Sequence, residues 1–163
     1  MSATQQSFTI RLASDADAES ITALINDAFR IAESFFIDGD RITRNEVLEH
    51  LTLGEFLLAE DNERLIGCVY LEPRGERTYL GLLSVDPSMQ GSGVGSLIMT
   101  AAEDRWRQRN AKFFDILTVS LRTELPAFYG KRGYVQTGTS PFPPDVKTKL
   151  PVHFVHMSKR LDS

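Results

Sequence analysis

Apolar residues along this chain change their period several times, and each change marks an element. Phe8, Ile10 and Leu12 alternate with polar neighbours, which predicts a strand over residues 8–12. Ser14 with Asp17 three positions on makes a helix start, and Ala18, Ile21, Leu24, Ile25, Ala28 and Phe29 then fall on one helical face. Thr43-Arg44-Asn45-Glu46 is a capping box for a short second helix carrying Val47, Leu48 and Leu51. Residues 56–59 and 65–71 read as strands around the turn Asp61-Asn62-Glu63, an antiparallel hairpin. Arg74-Gly75-Glu76 turns the chain into a further strand over residues 78–85. A glycine-rich loop and a helix follow. That helix is expected to bury Val94, Leu97, Ile98, Ala101, Ala102 and Trp106, and it ends in Arg105, Arg107 and Arg109, cations suited to a helix C-terminus. Residues 113–119 form a near-continuous apolar run of the kind seen in buried parallel strands. A short helix over about residues 124–131 and strands over 134–137 and 154–157 close the chain. Antiparallel strands first, then strand–helix–strand, then an antiparallel end predict an α+β fold. Its central sheet is mixed, mostly antiparallel and flanked by helices, without the repeating alternation of a doubly wound fold. With no repeats and no low-complexity linker, residues 1–163 read as a single domain.

The richest chemistry lies between the strand at 78–85 and the helix behind it. Gly91, Gly93 and Gly95 strip alternate side chains from the loop, so its backbone N–H groups can close on a bulky ligand. The following helix adds unsatisfied N–H groups and the positive end of its dipole, a site for phosphate. A nucleoside-triphosphate loop would need Gly-x4-Gly-Lys-Ser/Thr, and no lysine precedes Lys112. A dinucleotide fingerprint would need a third glycine where Ser96 or Ile98 stands; Asp115 has the right spacing for a ribose contact but sits within an apolar run. A nucleotide-dependent oxidoreductase therefore rests on the glycines alone.

Gln90-Gly91-Ser92-Gly93-Val94-Gly95 does match Gln-x-x-Gly-x-Gly, and it resembles the acetyl-CoA loop of the Gcn5-related N-acetyltransferase (GNAT) superfamily. The resemblance extends upstream through Leu83-Ser84-Val85-Asp86-Pro87. It resumes at Arg122-Thr123-Glu124-Leu125-Pro126-Ala127-Phe128-Tyr129-Gly130-Lys131-Arg132-Gly133-Tyr134, which is similar to that family's second block. It implies a sheet whose two middle parallel strands splay apart around the cofactor. It also implies an acetyl-CoA-dependent N-acetyltransferase acting on a primary amine, here that of a small molecule, by direct attack in a ternary complex. Protein N-termini or lysines remain alternative acceptors, and a non-catalytic acyl-CoA-binding regulatory domain is the reading from a different class.

Transfer from a thioester to an amine needs a neutral amine, although a free alkylamine titrates near ~10. It also needs a donor to the developing oxyanion and a proton donor for the departing thiolate. By the resemblance, Gln90, Gly91, Ser92, Gly93, Val94, Gly95 and Ser96 hold the pyrophosphate, with the Ser92 and Ser96 hydroxyls as extra donors. Leu83, Ser84 and Val85 offer their backbone to the pantetheine arm, with the Val85 N–H as oxyanion donor. Tyr129 stands where the family commonly places a tyrosine near the sulfur and is assigned as general acid. Arg122 replaces an asparagine that touches the cofactor in many relatives, and it either caps its strand or contacts pantetheine or substrate. Many relatives carry a glutamate base where this chain has Tyr79. Glu72 is then the best remaining acid, followed by Glu33, Asp38 and His153. Phe35 and Phe36, in a segment too apolar for a plain loop, are assigned to the wall of the acceptor pocket. Pro141-Phe142-Pro143-Pro144 is a stiff loop bordering the same cleft.

Composition narrows the classes further. A net charge of −4 provides no basic field, which argues against nucleic acid, while Lys131 with Arg132 remains a local basic patch. Glu33, Asp38 and Asp40 would suit a cationic amine. Cys68 is the only cysteine, which excludes an internal disulfide, fits a reducing cytoplasm and reads as a buried small hydrophobe. The polar residues 1–8 lack a targeting pattern and no long apolar run exists, so a cytoplasmic protein without membrane partners is expected. His153 and His156, three apart on a strand, point to opposite faces, and no metal site is expected. The resemblance also admits a homodimer through the C-terminal strand.

Overall fold

The computed structural model describes residues 8–161; the expectation of no targeting pattern falls mainly on residues 1–7, outside that range. In chain order the elements are β1 (Thr9–Leu12), α1 (Ala18–Glu33), α2 (Arg44–Leu53), β2 (Glu55–Asp61), β3 (Arg64–Arg74), β4 (Arg77–Val85), α3 (Val94–Gln108), β5 (Phe113–Val119), α4 (Leu125–Gly130), β6 (Val135–Pro141) and β7 (His153–Arg160). The seven strands form one sheet in the order β1-β2-β3-β4-β5-β7-β6, in which β4 and β5 are the parallel pair. This is the mixed, mostly antiparallel α+β sheet that the period changes predict.

Local signals place the helices. The Thr43 hydroxyl accepts from the Glu46 N–H at 3.2 Å and the Glu46 carboxylate accepts from the Thr43 N–H at 3.1 Å, closing the α2 capping box. A turn of 3₁₀ helix, Asp15–Asp17, leads into α1, and the Asp17 carboxylate accepts from the Ser14 N–H at 2.8 Å. In α3 the expected stripe shifts. Val94, Ile98, Ala102 and Trp106 are buried with Met99, whereas Leu97 is 37% exposed. The contacts follow the i, i+4 row through Val94, and Leu97 stands off that row. Burial along β5 alternates instead of being continuous, because Asp115 faces outward and accepts twice from Arg77, at 2.6 Å each.

Helices cover both faces of the sheet and create two cores. On one face α3 packs over Leu57, Ile66, Val69, Leu71, Leu80 and Ile116. On the other, α1 and α2 pack over Phe56, Leu58, Cys68, Tyr70 and Leu82, with Tyr79 partly buried beside them. Gly67 lets α3 lie close on β3: a Cβ there would meet Ile98 Cδ1 at 2.6 Å and Val94 Cγ1 at 2.9 Å.

Leu80 and Leu82 should share a face in a regular strand, yet they fall in opposite cores. A β-bulge explains this. Cys68 pairs with Ser84 and Tyr70 with Gly81, so Leu82 and Leu83 together oppose Val69. Leu82 carries φ +56°, a left-handed conformation that is strained for a bulky residue and is held here by burial. The bulge lies next to the last β4–β5 pair, Leu80 with Ile116; beyond it the two strands separate.

Candidate functional site

Where β4 and β5 part, the sheet opens into a cleft of about 1680 Å³ that runs from one helical layer to the other. That exceeds the roughly 300–1,000 Å³ of ordinary small-molecule pockets and leaves room for two ligands end to end. Residues 83–85 of β4 and 117–119 of β5 form its walls.

The open strand edge of β4 is chemically active. The Asp86 N–H donates to the Ile66 carbonyl at 2.8 Å, which makes Gly67 and Val85 a non-hydrogen-bonded pair. The N–H and C=O of Val85 therefore point away from β3, toward the gap that β5 has left. Its carbonyl accepts from Gln90 Nε2 at 3.2 Å, which ties the loop to the strand end. Ser84, paired with Cys68, turns its backbone to β3 instead. The expectation that Ser84 offers backbone groups to a ligand is thus corrected by the register.

At the end of β4 the Asp86 carboxylate accepts from the Ser88 N–H at 2.9 Å and starts a 3₁₀ turn, Pro87–Met89. Gly91 (φ +80°) and Gly93 (φ +88°) then adopt left-handed conformations that reverse the chain into α3. The first bond of the helix runs from the Leu97 N–H to the Gly93 carbonyl at 3.0 Å. Among the described residues the N–H groups of Gly93, Val94, Gly95 and Ser96 have no backbone partner. Gly91, Gly93, Val94, Gly95 and Ser96 all line the cleft, so these amides and the helix dipole form an anion cradle at its mouth. The Ser92 hydroxyl donates to the Met89 carbonyl and is committed to the turn, contrary to its expected role as an extra donor. In Gly93→Ala the added methyl meets nothing within 4 Å, so the cost is conformational alone. We expect a loss of about 1–2 kcal/mol, read as a lower urea midpoint at unchanged m value.

Tyr129, on α4, is 5% exposed and lines the cleft from the α3 side. Burial holds its phenol well above the usual tyrosine range, while the Arg122 charge acts in the opposite sense. Its hydroxyl makes no hydrogen bond among the described residues. Arg122 follows β5 and also lines the cleft. It donates through Nη1 to Glu33 at 3.0 Å and through Nε to Glu124 at 2.8 Å.

Glu33 is the most unusual group in the cleft. It is 8% exposed and lies at the C-terminal end of α1, where the helix dipole disfavours a negative charge. Burial raises its pKa above the ordinary glutamate value despite the opposing charges of Arg122 and Arg41. It continues the row Ile21, Ile25, Phe29 at four-residue spacing, and a carboxylate on an otherwise apolar row is the mark it leaves in the sequence.

Other expected site residues lie elsewhere. Glu72 is not among the cleft-lining residues. Its carboxylate accepts from the Tyr70 hydroxyl and from Arg74 Nε, both at 2.7 Å, and these partners hold its pKa below the ordinary value. Phe35 is 51% exposed, Phe36 is fully buried, and neither lines the cleft; Phe29 and Ile37 of the same region do, because the turn after α1 packs Phe36 inward. Asp38 and Asp40 line it but are paired with Lys149 (2.9 Å) and Arg30 (3.5 Å). Phe142 and Pro143 border the cleft as well, whereas His153 does not. Arg132 is held by Thr100 and lies 3.8 Å from Glu103, so it is built into the fold. Among the described residues there is no group of three or more His, Cys, Asp or Glu placed to hold a metal ion, and no helix is long and apolar enough to cross a membrane.

A family model described as an acetyltransferase (GNAT) domain matches residues 52–136. The uncharacterized protein YxbD of Bacillus subtilis (strain 168) is 31% identical over 83 residues, covering 50% of this chain and 49% of that protein. The chain thus spans about half the length of this curated relative. Among solved structures, yncA of Salmonella typhimurium with its cofactor acetyl-CoA superposes with a TM-score of 0.77 at 21% identity, covering 96% of this chain and 95% of that one. PaiA N-acetyltransferase of Thermoplasma acidophilum, in complex with coenzyme A, gives a TM-score of 0.76 at 16% identity over 94% and 99%. The ribosomal-protein-S18-alanine N-acetyltransferase of Escherichia coli gives 0.77 at 12% over 96% of each chain. At these identities the likeness speaks for the fold.

Proposed function

The chain belongs to the GNAT acetyltransferases, and from that premise we propose that it moves an acetyl group from acetyl-CoA to the primary amine of a small molecule, by direct attack within a ternary complex. The observation that carries this reading is the forked sheet. Its cleft joins an anion cradle at the N-terminus of α3 to a cluster of ionisable groups beside α1. The unpartnered amides of residues 93–96 suit the pyrophosphate of coenzyme A, and the open edge of β4 suits the amide-rich pantetheine arm. Acetyl-CoA supplies the activated acyl group.

Glu33 accepts the proton that the attacking amine must lose, directly or through one water. The Val85 N–H donates to the carbonyl oxygen as it gains charge, and this donor is already oriented by the β3 register. Tyr129 donates to the sulfur as the carbon–sulfur bond breaks and the carbon–nitrogen bond forms. Burial makes its phenol a weak acid, so hydrogen bonding to the thiolate is its main contribution. Glu33 replaces Glu72 in the role of base. No cysteine relay competes with direct attack: burial pushes the Cys68 thiol up to about 12, and it is fully enclosed.

The test is release of free CoA thiol when the protein and acetyl-CoA meet a panel of amino acids, polyamines, aminoglycosides and peptides. We expect turnover confined to small amines. Silence across the whole panel, with acetyl-CoA nevertheless bound, would leave a non-catalytic acyl-CoA-binding domain.

A further inference from the structure

The two ends of the cleft differ in charge pattern, and the acceptor end points to a class of substrate. The anion cradle belongs to α3, whereas Glu33 and Arg41 stand on the side of α1 and α2, across the sheet. Five cations line the cleft. Arg30, Arg122 and Lys149 are each paired with a carboxylate; Arg41 and Lys147 make no ion pair with any described residue.

Arg41 is the better placed of the two. The next residue, Ile42, is held at both backbone groups by the buried Asn26: Nδ2 donates to the Ile42 carbonyl at 2.9 Å, and Oδ1 accepts from the Ile42 N–H at 3.0 Å. The Arg41 guanidinium carbon lies 5.5 Å from the Phe29 ring centroid, an aromatic face that also lines the cleft. Arg41 lines the same cleft as Glu33 and Tyr79, and its charge favours the ionised form of the Glu33 carboxylate. A guanidinium on an anchored stretch of backbone, a carboxylate and an aromatic wall along one cleft complement a molecule bearing both a cation and an anion.

We infer that the acceptor is a small amino acid, whose ammonium group is received at Glu33 and whose carboxylate pairs with Arg41. This rests on the acetyltransferase reading of the same cleft and narrows its substrate. Arg41 touches the part of the substrate that does not react, so it sets specificity.

The experiment compares kcat/KM for α- and ω-amino acids with that for their methyl esters and decarboxylated amines, in the wild-type protein, Arg41→Gln and Arg41→Lys. In the wild type we expect the free acids to be preferred by about tenfold or more. In Arg41→Gln that ratio should collapse, mainly through KM for the acids, and Arg41→Lys should restore part of it. The variants lie on an exposed position, and an unchanged thermal midpoint would exclude a folding defect. Equal rates for acids and esters in the wild type, or an equal loss for both in Arg41→Gln, would overturn the inference while leaving the transferase standing. Absence of thiol release with every amine would overturn both.

Discussion

Tyr129→Phe is expected to lower kcat about a hundredfold while the KM for acetyl-CoA stays within about a factor of two. The phenol is buried in the cleft wall, with ring contacts to Phe128 and Tyr134 at centroid distances of 5.2 and 5.7 Å, and phenylalanine retains those contacts. Because the hydroxyl has no partner among the described residues, its removal leaves no orphaned group, and thermal stability should hold or rise slightly. The readout that separates chemistry from structure is the leaving group. Acyl donors with a more acidic thiol need less help as the carbon–sulfur bond breaks, so the variant's deficit should shrink with them. A deficit that is the same for all donors, or a rise in KM with unchanged kcat, would assign Tyr129 to packing or binding.

The second large effect is expected at Glu33. Glu33→Gln retains an acceptor for Arg122 at nearly the same volume but cannot take a proton, and kcat/KM should fall by about a hundredfold near neutral pH. The wild-type rate should rise with pH through the raised pKa of Glu33, giving an acid limb above the ordinary glutamate range, because the base works only when ionised. In Glu33→Gln that limb should vanish. Stability carries the same signature with the opposite slope. A carboxyl whose pKa is raised by folding contributes stability that is fully present below its unfolded value of about 4.3 and is lost as pH rises through the folded value. Urea midpoints should therefore fall across that window in the wild type and stay flatter in the variant. Retention of the acid limb in Glu33→Gln would move the base to another carboxylate of the cleft, Asp38, Asp40 or Glu124.

How much of this was legible beforehand depends on the range of the forces involved. The α2 capping box, the glycine turn at 90–95 and the α3 amides are set by residues within a few positions of one another, and each stands where the spacing put it. Glu72 misled because sequence position says only that it ends a strand. Its partners, Tyr70 and Arg74, stand two positions to either side on the same strand, and their side chains occupy both carboxylate oxygens, Arg74 alone supplying a compensating charge. Phe35 and Phe36 misled for a related reason: an apolar pair after a helix can line a pocket or plug a core, and the Lys149 N–H bonding to the Phe36 carbonyl at 2.7 Å belongs to a loop more than a hundred residues away. Leu82 gave no sign of a bulge, since leucine is among the residues least suited to a left-handed backbone.

By itself, the order of residues determined that a glycine-rich turn with free amides stands between an apolar strand and a helix, since hydrogen bonds and φ angles there are settled over one or two turns of chain. Which carboxylate reaches the fork, and that a fork exists, was decided by tertiary structure. Both depend on pairings between distant strands and on the packing of α1, which buries Glu33 and raises its pKa against the opposing charge of Arg122.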